Sequence, residues 1–244
     1  HSTSRRQRQM CIRDRNTCMK CNRKRPFPFQ LEGMKFLEAG LSVNKGAATF
    51  DDMGLGKTVQ AGGVIKFHPE WWPVLWVVKA TLTYQTASFQ INWMGPEFAP
   101  QIIQSSKDWL IPGLKIYIIS YDMLVPKVKK LKSGATSISG FDIKQFDRVG
   151  IKLVVLDECQ QIKNVDSSRT QMVRKVVAGR KVLPMSGTPW NNRGSELFPV
   201  MNMMDPRKFP SEAGFTRQWV DTYWSGATLK QGGIRNVELS LIHI

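Results

Sequence analysis

Short apolar runs alternate with amphipathic stretches along most of the chain. We predict buried strands over the apolar runs, which are Ala47–Phe50, Leu75–Val78, Ile116–Ser120, Leu153–Leu156 and Lys181–Met185. Apolar residues at helical spacing predict helices over Gln30–Ala39, Thr58–Phe67, Thr81–Phe89, Tyr121–Lys127 and Ser168–Ala178. Strands that alternate with helices predict an α/β sandwich of three layers, in which helices cover both faces of a parallel sheet.

Two segments depart from this alternation. Lys127–Gly140 is rich in lysine, serine and glycine, which predicts an exposed loop. Ser211–Trp224 carries apolar residues at helical spacing, which predicts one more helix before the glycine pair Gly232–Gly233.

The composition narrows the class of protein. The chain has 244 residues and is 42% hydrophobic, so it can bury a sizeable core. No apolar run reaches the roughly 18 residues that a membrane-spanning helix needs. We therefore expect no membrane partner and an intracellular location, either cytoplasmic or in the nucleoid or nucleus.

Both ends of the sequence resemble translated sequencing adapter. Leu239–Ile244 is what the end of a transposase-made library adapter encodes, and residues 5–15 resemble its opposite strand. We therefore hypothesise that residues 1–15 and 239–244 are artefacts. The formal net charge is +16, and removing the five arginines and one aspartate of residues 1–15 leaves +12. A balance this basic favours a polyanionic partner, most often nucleic acid.

The cysteines leave two interpretations open. Cys18 and Cys21 have the spacing of a zinc half-site, but a structural zinc ion needs four ligands. Either further ligands lie elsewhere or the two residues are free thiols. So few cysteines do not suggest a disulfide framework, which fits a reducing compartment.

The segment Asp51–Thr58 reads Asp-Asp-Met-Gly-Leu-Gly-Lys-Thr and joins a predicted strand to a predicted helix. This is the context of a phosphate-binding loop, although aspartate stands at position 51, where glycine is usual. We expect Lys57 to reach the β- and γ-phosphates of a nucleotide and Thr58 to hold Mg²⁺. The loop backbone would cradle the phosphates along Asp52, Met53, Gly54, Leu55 and Gly56.

A second motif places two acids at the end of a predicted strand. The run Leu153–Gln160 is apolar up to Asp157 and Glu158. Hydrolysis of a nucleotide needs one carboxylate to hold Mg²⁺, which suits Asp157, and one to position or deprotonate water, which suits Glu158. With Lys57, these acids are the candidate catalytic residues, and the expected cofactors are ATP and Mg²⁺.

Together the motifs resemble the first RecA-like lobe of the Swi/Snf-type ATPases, which are double-stranded-DNA translocases of helicase superfamily two. The similarity covers Pro26–Pro210, and aspartate at position 51 is usual in that family. It implies that Gln30 contacts adenine and that Ile119–Asp122 contacts nucleic acid. It also implies residues that couple the nucleotide site to DNA, which are Gln160, Ser186, Gly187 and Thr188.

The resemblance also implies a domain organisation. We expect a basic linker over residues 16–26, the ATP-binding lobe over 27–210, and over 211–238 the start of a helical segment that leads to a missing second lobe. That lobe supplies arginines in the family, so we expect this fragment alone to hydrolyse ATP barely above background. The chain departs from the family at Cys159 and Gln160, where alanine or serine and then histidine are usual, and at Lys79, where proline is usual.

The expected function is ATP hydrolysis coupled to movement on double-stranded DNA. Two alternatives stay open. One is an RNA helicase of the same superfamily, and the other is an ATP-switched module that binds DNA without productive turnover.

Overall fold

A computed structural model describes residues 25–130, 136–225 and 228–234. The helices are α1 (Pro28–Val43), α2 (Lys57–Phe67), α3 (Thr83–Phe89), α4 (Tyr121–Leu124), α5 (Lys144–Arg148), α6 (Ser168–Val177), α7 (Phe198–Met204) and α8 (Glu212–Trp219). The strands are β1 (Val74–Val78), β2 (Gln101–Ile103), β3 (Ile116–Ser120), β4 (Lys127–Lys130), β5 (Thr136–Ser139), β6 (Leu153–Asp157), β7 (Lys181–Met185), β8 (Val220–Ser225) and β9 (Thr228–Ile234). Across these ranges no helix is long and apolar enough to cross a membrane.

The central sheet has five parallel strands in the order β2-β3-β1-β6-β7. The predicted strand Ala47–Phe50 forms a short extended segment beside β7, with isolated bridges from Gly46 to Val182 and from Thr49 to Met185. This segment leads directly into the Asp51–Thr58 loop, so the loop begins at the same edge of the sheet at which β6 and β7 end.

Side chains of the strands alternate between two buried cores, one on each face of the sheet. One core joins β-strand residues to α1 and α2, and it includes Leu41, Ile65, Trp76, Ile118 and Val155. The other joins strand residues to α5, α6 and α7, and it includes Leu75, Phe146, Val154, Val176 and Met201. Because β1 and β3 are covered on both faces, every residue in these two strands is buried. The predicted three-layer α/β sandwich is confirmed.

The helix predicted over Ser211–Trp224 is wrong in its second half. The Ser211 hydroxyl accepts a hydrogen bond from the Gly214 N–H and starts α8, but the helix ends at Trp219. The chain then forms β8, which pairs antiparallel with β9. β8 is rich in β-branched and aromatic residues, which favour a strand once a partner is present. The pairing partner lies several residues downstream, and helical spacing alone does not reveal it.

Two further predictions need correction. The predicted loop Lys127–Gly140 contains the hairpin strands β4 and β5, in which Val128 and Ile138 are register partners. The predicted helix Tyr121–Lys127 is only the single turn α4, and Val125 is already extended. Val125 precedes Pro126, and a residue before proline is disfavoured in the helical region because its backbone and Cβ clash with the proline ring.

Truncating a buried strand residue tests the sandwich. Leu75 in β1 is 0% exposed, so Leu75→Ala should leave a cavity and lower the free energy of unfolding by about 2–5 kcal/mol. Leu31 in α1 is 47% exposed, and Leu31→Ala should change the free energy by no more than about 0.5 kcal/mol. Urea denaturation measures both variants. Equal losses would contradict the assignment of Leu75 to the core.

Candidate active site

The phosphate-loop segment reaches α2 through two glycines with left-handed backbone. Gly54 has φ +85° and Gly56 has φ +76°, and Gly56 caps α2. A Cβ added at Gly56 would lie 2.3 Å from the Gln30 amide nitrogen, so glycine is needed there for space as well as for conformation. The first N–H groups of α2 lack helical acceptors and point toward the loop, which makes this end of the helix suitable for an anion.

Lys57 is held at the mouth of the loop. Its ammonium donates hydrogen bonds to the carbonyl oxygens of Asp51 (2.8 Å) and Asp52 (3.0 Å). Burial lowers the pKa of Lys57, while the carboxylates of Asp51, Glu158 and Asp157 act in the opposite direction. A bound phosphate would provide the same kind of oxygen acceptor as these carbonyls together with a full negative charge.

Aspartate at position 51 has a structural partner that the sequence analysis missed. The buried amide of Gln60 donates to the Asp51 carboxylate at 2.7 Å. Gln60 lies one turn into α2 and faces Gly33 of α1, where an added Cβ would lie 2.0 Å from the Gln60 oxygen. The sequence signal that could have indicated this partner is a polar residue, Gln60, on the buried face of a predicted helix.

The acid pair sits where β6 ends between β1 and β7. Asp157 is the last residue of β6, and Glu158 has φ 51° and ψ 53°. Among the described residues, Glu158 is the single non-glycine residue with positive φ. Such a conformation costs on the order of 1–3 kcal/mol and persists where the surroundings enforce it. The left-handed turn redirects the chain into the 3₁₀ turn Cys159–Ile162 and lets adjacent carboxylates face the same space.

Asp157 lies in an environment that disfavours its charged form. Burial and the neighbouring Glu158 carboxylate raise the pKa of Asp157 to about 6, while Lys57 and Lys79 oppose the increase. The Tyr121 hydroxyl donates to the Asp157 backbone carbonyl at 2.9 Å and fixes the end of the strand. A divalent cation would favour the ionised carboxylate and offset its repulsion with Glu158.

The chemistry of these groups fits Mg²⁺. The Asp157 carboxylate and the Thr58 hydroxyl supply hard oxygen ligands, which Mg²⁺ prefers. In the part of the chain that the structure describes, no three His, Cys, Asp or Glu side chains form a metal cage. Mg²⁺ in nucleotide sites is usually held by one or two protein oxygens plus phosphates and water, so a sparse ligand set is what ATP chemistry uses.

One cavity of about 420 Å³ brings the two motifs together. The phosphate loop contributes Met53, Gly54, Gly56, Lys57 and Thr58, and the acidic motif contributes Asp157 and Glu158. Gly187 completes this side, because a Cβ there would lie 2.5 Å from the Met53 side chain and 3.4 Å from the Lys57 nitrogen. Lys57 and Glu158 therefore face a shared space, as the two-motif interpretation requires.

The opposite wall of the cavity comes from residues that no motif indicated. Gln85, Thr86 and Phe89 of α3 line it together with Leu82. Leu82 and Phe89 each lie three or four positions from Gln85 and Thr86, so one face of α3 and of the turn before it supplies this wall. Their helical spacing was visible in the sequence, but the cavity that this face borders depends on where α3 packs.

A hydrogen-bonded relay connects Glu158 to the segment after β7. The Gln160 amide donates to the Glu158 carboxylate at 2.6 Å, and the Ser186 hydroxyl donates to the Gln160 carbonyl at 2.7 Å. The Thr188 N–H in turn donates to the Ser186 hydroxyl at 2.9 Å. Gln160 can bridge both partners because its amide carries a donor and an acceptor, which also explains how glutamine serves at a position where histidine is usual.

Gln30 lies outside the cavity lining. Its side chain is 4% exposed, accepts a hydrogen bond from the Phe27 N–H at 2.9 Å and donates to the Leu55 carbonyl at 3.1 Å. Both ends of the amide thus contact backbone, and each end keeps one further hydrogen-bonding position, a second N–H and a second lone pair. Adenine recognition by Gln30 stays a prediction.

Cys159 does not line this cavity. Cys159 is fully buried, and burial together with the adjacent carboxylates raises the pKa of its thiol far above the usual range. A thiol that stays protonated is a poor nucleophile, so Cys159 is a core residue, as expected from the sequence. Cys18 and Cys21, the proposed zinc half-site, lie outside the described residues.

The sequence of this chain is similar to those of several helicase and chromatin-regulator proteins. The "DNA annealing helicase and endonuclease ZRANB3" of Homo sapiens is 28% identical over 201 residues, which cover 80% of this chain and 17% of that protein. The "SWI/SNF-related matrix-associated actin-dependent regulator of chromatin subfamily A-like protein 1" of Bos taurus is 29% identical over 192 residues, with 77% and 18% covered. An "Uncharacterized ATP-dependent helicase" of Mycoplasma pneumoniae is 32% identical over 203 residues, with 78% and 18% covered.

A solved structure shares the fold. The "Sulfolobus solfataricus SWI2/SNF2 ATPase core in complex with dsDNA" has a TM-score of 0.64 and 20% sequence identity, and the match covers 81% of this chain and 39% of that one. The chain thus spans less than a fifth of these curated relatives and about two fifths of the solved core. A family model of the SNF2-related domain matches residues 29–236, and the chain therefore belongs to the SNF2-related domain family.

Proposed function

We propose that this chain is the ATP-binding lobe of a DNA-dependent ATPase that couples ATP hydrolysis to movement on double-stranded DNA. The observation that carries the proposal is the single cavity lined by both Lys57 and the acid pair Asp157 and Glu158. Membership of the SNF2-related domain family supports it, as does the formal net charge, which stays at +12 without the five arginines and one aspartate of residues 1–15. The duplex DNA in the related ATPase core supports the choice of DNA as partner.

Nucleotide binding would use the groups that the loop already presents. The N–H groups at the start of α2 bind phosphate oxygens, and the Lys57 ammonium exchanges the carbonyls of Asp51 and Asp52 for the β- and γ-phosphates. Thr58 and Asp157 would hold Mg²⁺, which neutralises phosphate charge when bound. The backbone of Asp52, Met53, Gly54, Leu55 and Gly56 wraps the phosphates, and Gln30 contacts the adenine.

Glu158 would act on the attacking water. Its carboxylate is oriented by the Gln160 amide, and a carboxylate so placed can accept the proton of a water directed at the γ-phosphate. Since Gln160 is also bonded to Ser186, the position of Glu158 depends on the segment Ser186–Thr188. We infer that this relay transmits DNA contact to the water-positioning group.

A second RecA-like lobe would complete the site. The chain spans less than a fifth of the length of these relatives, so a protein as long as they are would have room for one. Arginines from such a lobe stabilise the charge that develops in phosphoryl transfer and are worth about 10³–10⁵ in rate in related enzymes.

Substitutions in the two motifs test the assignment of roles in the full-length protein that contains this chain. Lys57→Ala should abolish both nucleotide binding and hydrolysis, because it removes the cation for the phosphates. Glu158→Gln should keep nucleotide affinity but lower DNA-stimulated turnover by at least about 10²-fold, because an amide cannot accept the proton. Steady-state ATPase assays and the anisotropy of a fluorescent ATP analogue measure the two effects.

A lysine at the other end of α2 provides the matched control. Lys66→Ala removes the same charge from the last turn of the helix and should leave turnover at the wild-type level. Hydrolysis that survives Glu158→Gln would overturn the role of Glu158. Stimulation of the wild type by RNA rather than duplex DNA would indicate an RNA helicase, and nucleotide-dependent DNA binding without any turnover would indicate a switched binding module.

The environment of Asp157 predicts a pH-dependent stability of the metal-free protein. The folded-state pKa is about 6, above the ordinary value of 3.8, so the contribution of Asp157 to stability is fully present below about pH 4 and is lost as the pH rises through 6. Asp157→Asn is neutral at every pH and avoids this loss. Its stability relative to wild type should therefore grow by about 2–3 kcal/mol between pH 4 and pH 8.

Urea denaturation in the presence of a chelator, at about pH 4, 6 and 8, measures this difference. Parallel pH profiles for wild type and Asp157→Asn would contradict the environment described for the carboxyl. The same variant should lose Mg²⁺-dependent turnover, because it removes a proposed ligand of the cation.

A further inference from the structure

A second cavity, of about 500 Å³, lies beside the acidic motif and outside the nucleotide cavity. We call it the basic cleft and define it by its polar lining, which includes Asp122, Lys127, Gln161, Lys163, Ser167 and Arg169. Three of these side chains are cations and one is a carboxylate, so the cleft carries an excess of positive charge. Its walls come from α4, the start of β4, the 3₁₀ turn after Glu158 and the first turn of α6.

The guanidinium of Arg169 is incompletely bonded within the cleft. One terminal nitrogen donates to the Gln161 side chain at 2.9 Å, and the other donates to the Asp122 carboxylate at 2.6 Å. The Nε nitrogen is buried and has no hydrogen-bond partner. A buried donor without an acceptor is unfavourable, so a shift of the guanidinium toward a group with several acceptor oxygens would give Nε a contact that its present neighbours do not provide.

Asp122 is well placed to be displaced from Arg169. Its side chain is 64% exposed, so its ion pair with Arg169 is exposed to screening by water and salt and contributes little to stability. The Lys127 side chain at the rim is exposed, and Lys163 makes only a long contact of 3.5 Å with Glu196. Both lysine ammonium groups can therefore interact with an anion that enters the cleft.

The chemistry of the cleft favours a phosphate group. A guanidinium presents paired N–H donors that match two oxygens of one phosphate. The flanking lysine ammonium groups add positive charge and can bind an oxygen from many directions. The cleft also lies next to the N-terminus of α6, a ten-residue helix capped by Ser167, whose dipole favours negative charge.

We propose that the basic cleft binds a backbone phosphate of double-stranded DNA, which takes the place of Asp122 on the Arg169 guanidinium. This inference rests on the proposed function and assigns its DNA partner to named residues. Arg169 and Lys127 contact the phosphate, and Asp122 is the carboxylate that occupies Arg169 when DNA is absent.

The cleft is connected to the active site by one short turn. Gln161, which accepts from Arg169, follows Gln160, which orients Glu158. The turn Cys159–Ile162 is only four residues long, so a shift of the Arg169 guanidinium toward a phosphate changes the contact that holds its middle. Arg169 is therefore also a positioning residue for Glu158, and DNA in the cleft influences hydrolysis.

A second connection runs through Lys163. Its partner Glu196 also accepts hydrogen bonds from the backbone N–H groups of Asn191 and Asn192. Burial alone would raise the pKa of Glu196, but these donors and Lys163 together lower it, so the carboxylate is ionised and holds the segment after Thr188. A phosphate that attracts Lys163 would weaken this hold at the same time.

Salt-dependent DNA binding tests the cleft in the full-length protein. Fluorescence anisotropy of a labelled duplex should give a Kd about tenfold higher for Arg169→Ala, because one charge-assisted contact is lost. The slope of log Kd against log salt should fall by about 1 for Arg169→Ala and for Lys127→Ala, since each removes one phosphate contact. Asp122→Asn removes the competing carboxylate and should tighten DNA binding.

Two further variants separate a binding role from a structural one. Arg169→Lys keeps the charge and should retain the salt slope while it loses part of the affinity, because an ammonium cannot bind two oxygens in a fork. Lys175→Ala removes an exposed charge about 9 Å further along α6 and should leave both the Kd and the slope unchanged. Fluorescent-ATP affinity equal to wild type shows that each variant is folded.

The outcomes distinguish this inference from the proposed function. Wild-type slopes for both Arg169→Ala and Lys127→Ala, in a protein whose ATPase is stimulated by duplex DNA, would overturn the cleft assignment and leave the proposed function standing. A wild-type protein without duplex-stimulated ATPase would instead overturn the proposed function. A slope loss with single-stranded RNA but not with duplex DNA would overturn the choice of duplex DNA as the ligand.

Discussion

Parallel pairing of β1, β6 and β7 is the constraint on which the rest of the molecule depends. In a parallel sheet the carboxyl ends of neighbouring strands meet at one edge, and ligands bind there in open α/β folds. The acid pair follows β6, Ser186 follows β7, and the phosphate loop follows the extended segment beside β7. The strand order therefore brings residues that are more than a hundred positions apart into one cavity, and no direct contact between them is required.

The two apolar cores hold this edge of the sheet in place, while several residues at the edge itself are in energetically unfavourable environments. The strands bury apolar side chains on both faces, which favours folding. At their ends, Asp157 is buried beside Glu158, Glu158 adopts a left-handed backbone, and Lys57 is partly desolvated. Burial of charge and strained backbone oppose folding and concentrate where ligands bind, so the apolar sandwich offsets the cost of a site prepared for phosphate and metal.

Amide side chains support two positions of the site, one where aspartate replaces the glycine of the general phosphate-loop pattern and one where the family usually has histidine. Aspartate at position 51 is bonded by Gln60, and glutamine at position 160 bridges Glu158 and Ser186. In both places an amide supplies a directional hydrogen bond without adding charge to an already charged site. The same 3₁₀ turn that carries Gln160 also carries Gln161, which brings the basic cleft within one residue of the catalytic relay.

The sequence by itself determined the strand-and-helix alternation, the phosphate loop and the acid pair, because each is a local pattern. Buried strands such as Ile116–Ser120 are recognisable from continuous apolar residues, and the loop is recognisable from its glycines and Lys57. Helix ends set by a local rule, such as Val125 before Pro126, were also open to prediction but were placed too late.

Tertiary structure alone decided the features that depend on a distant partner. Trp219 ends α8 because Val220 pairs with a strand further along the chain, and α3 contributes Gln85, Thr86 and Phe89 because of where it packs. The role of Arg169 becomes visible only from its ion pair with Asp122, 47 residues earlier, and from its place in a cleft bounded by four separate elements. Hydrogen bonds and burial between distant segments carry no signature in the local order of residues, so these parts of the site became visible only in the folded chain.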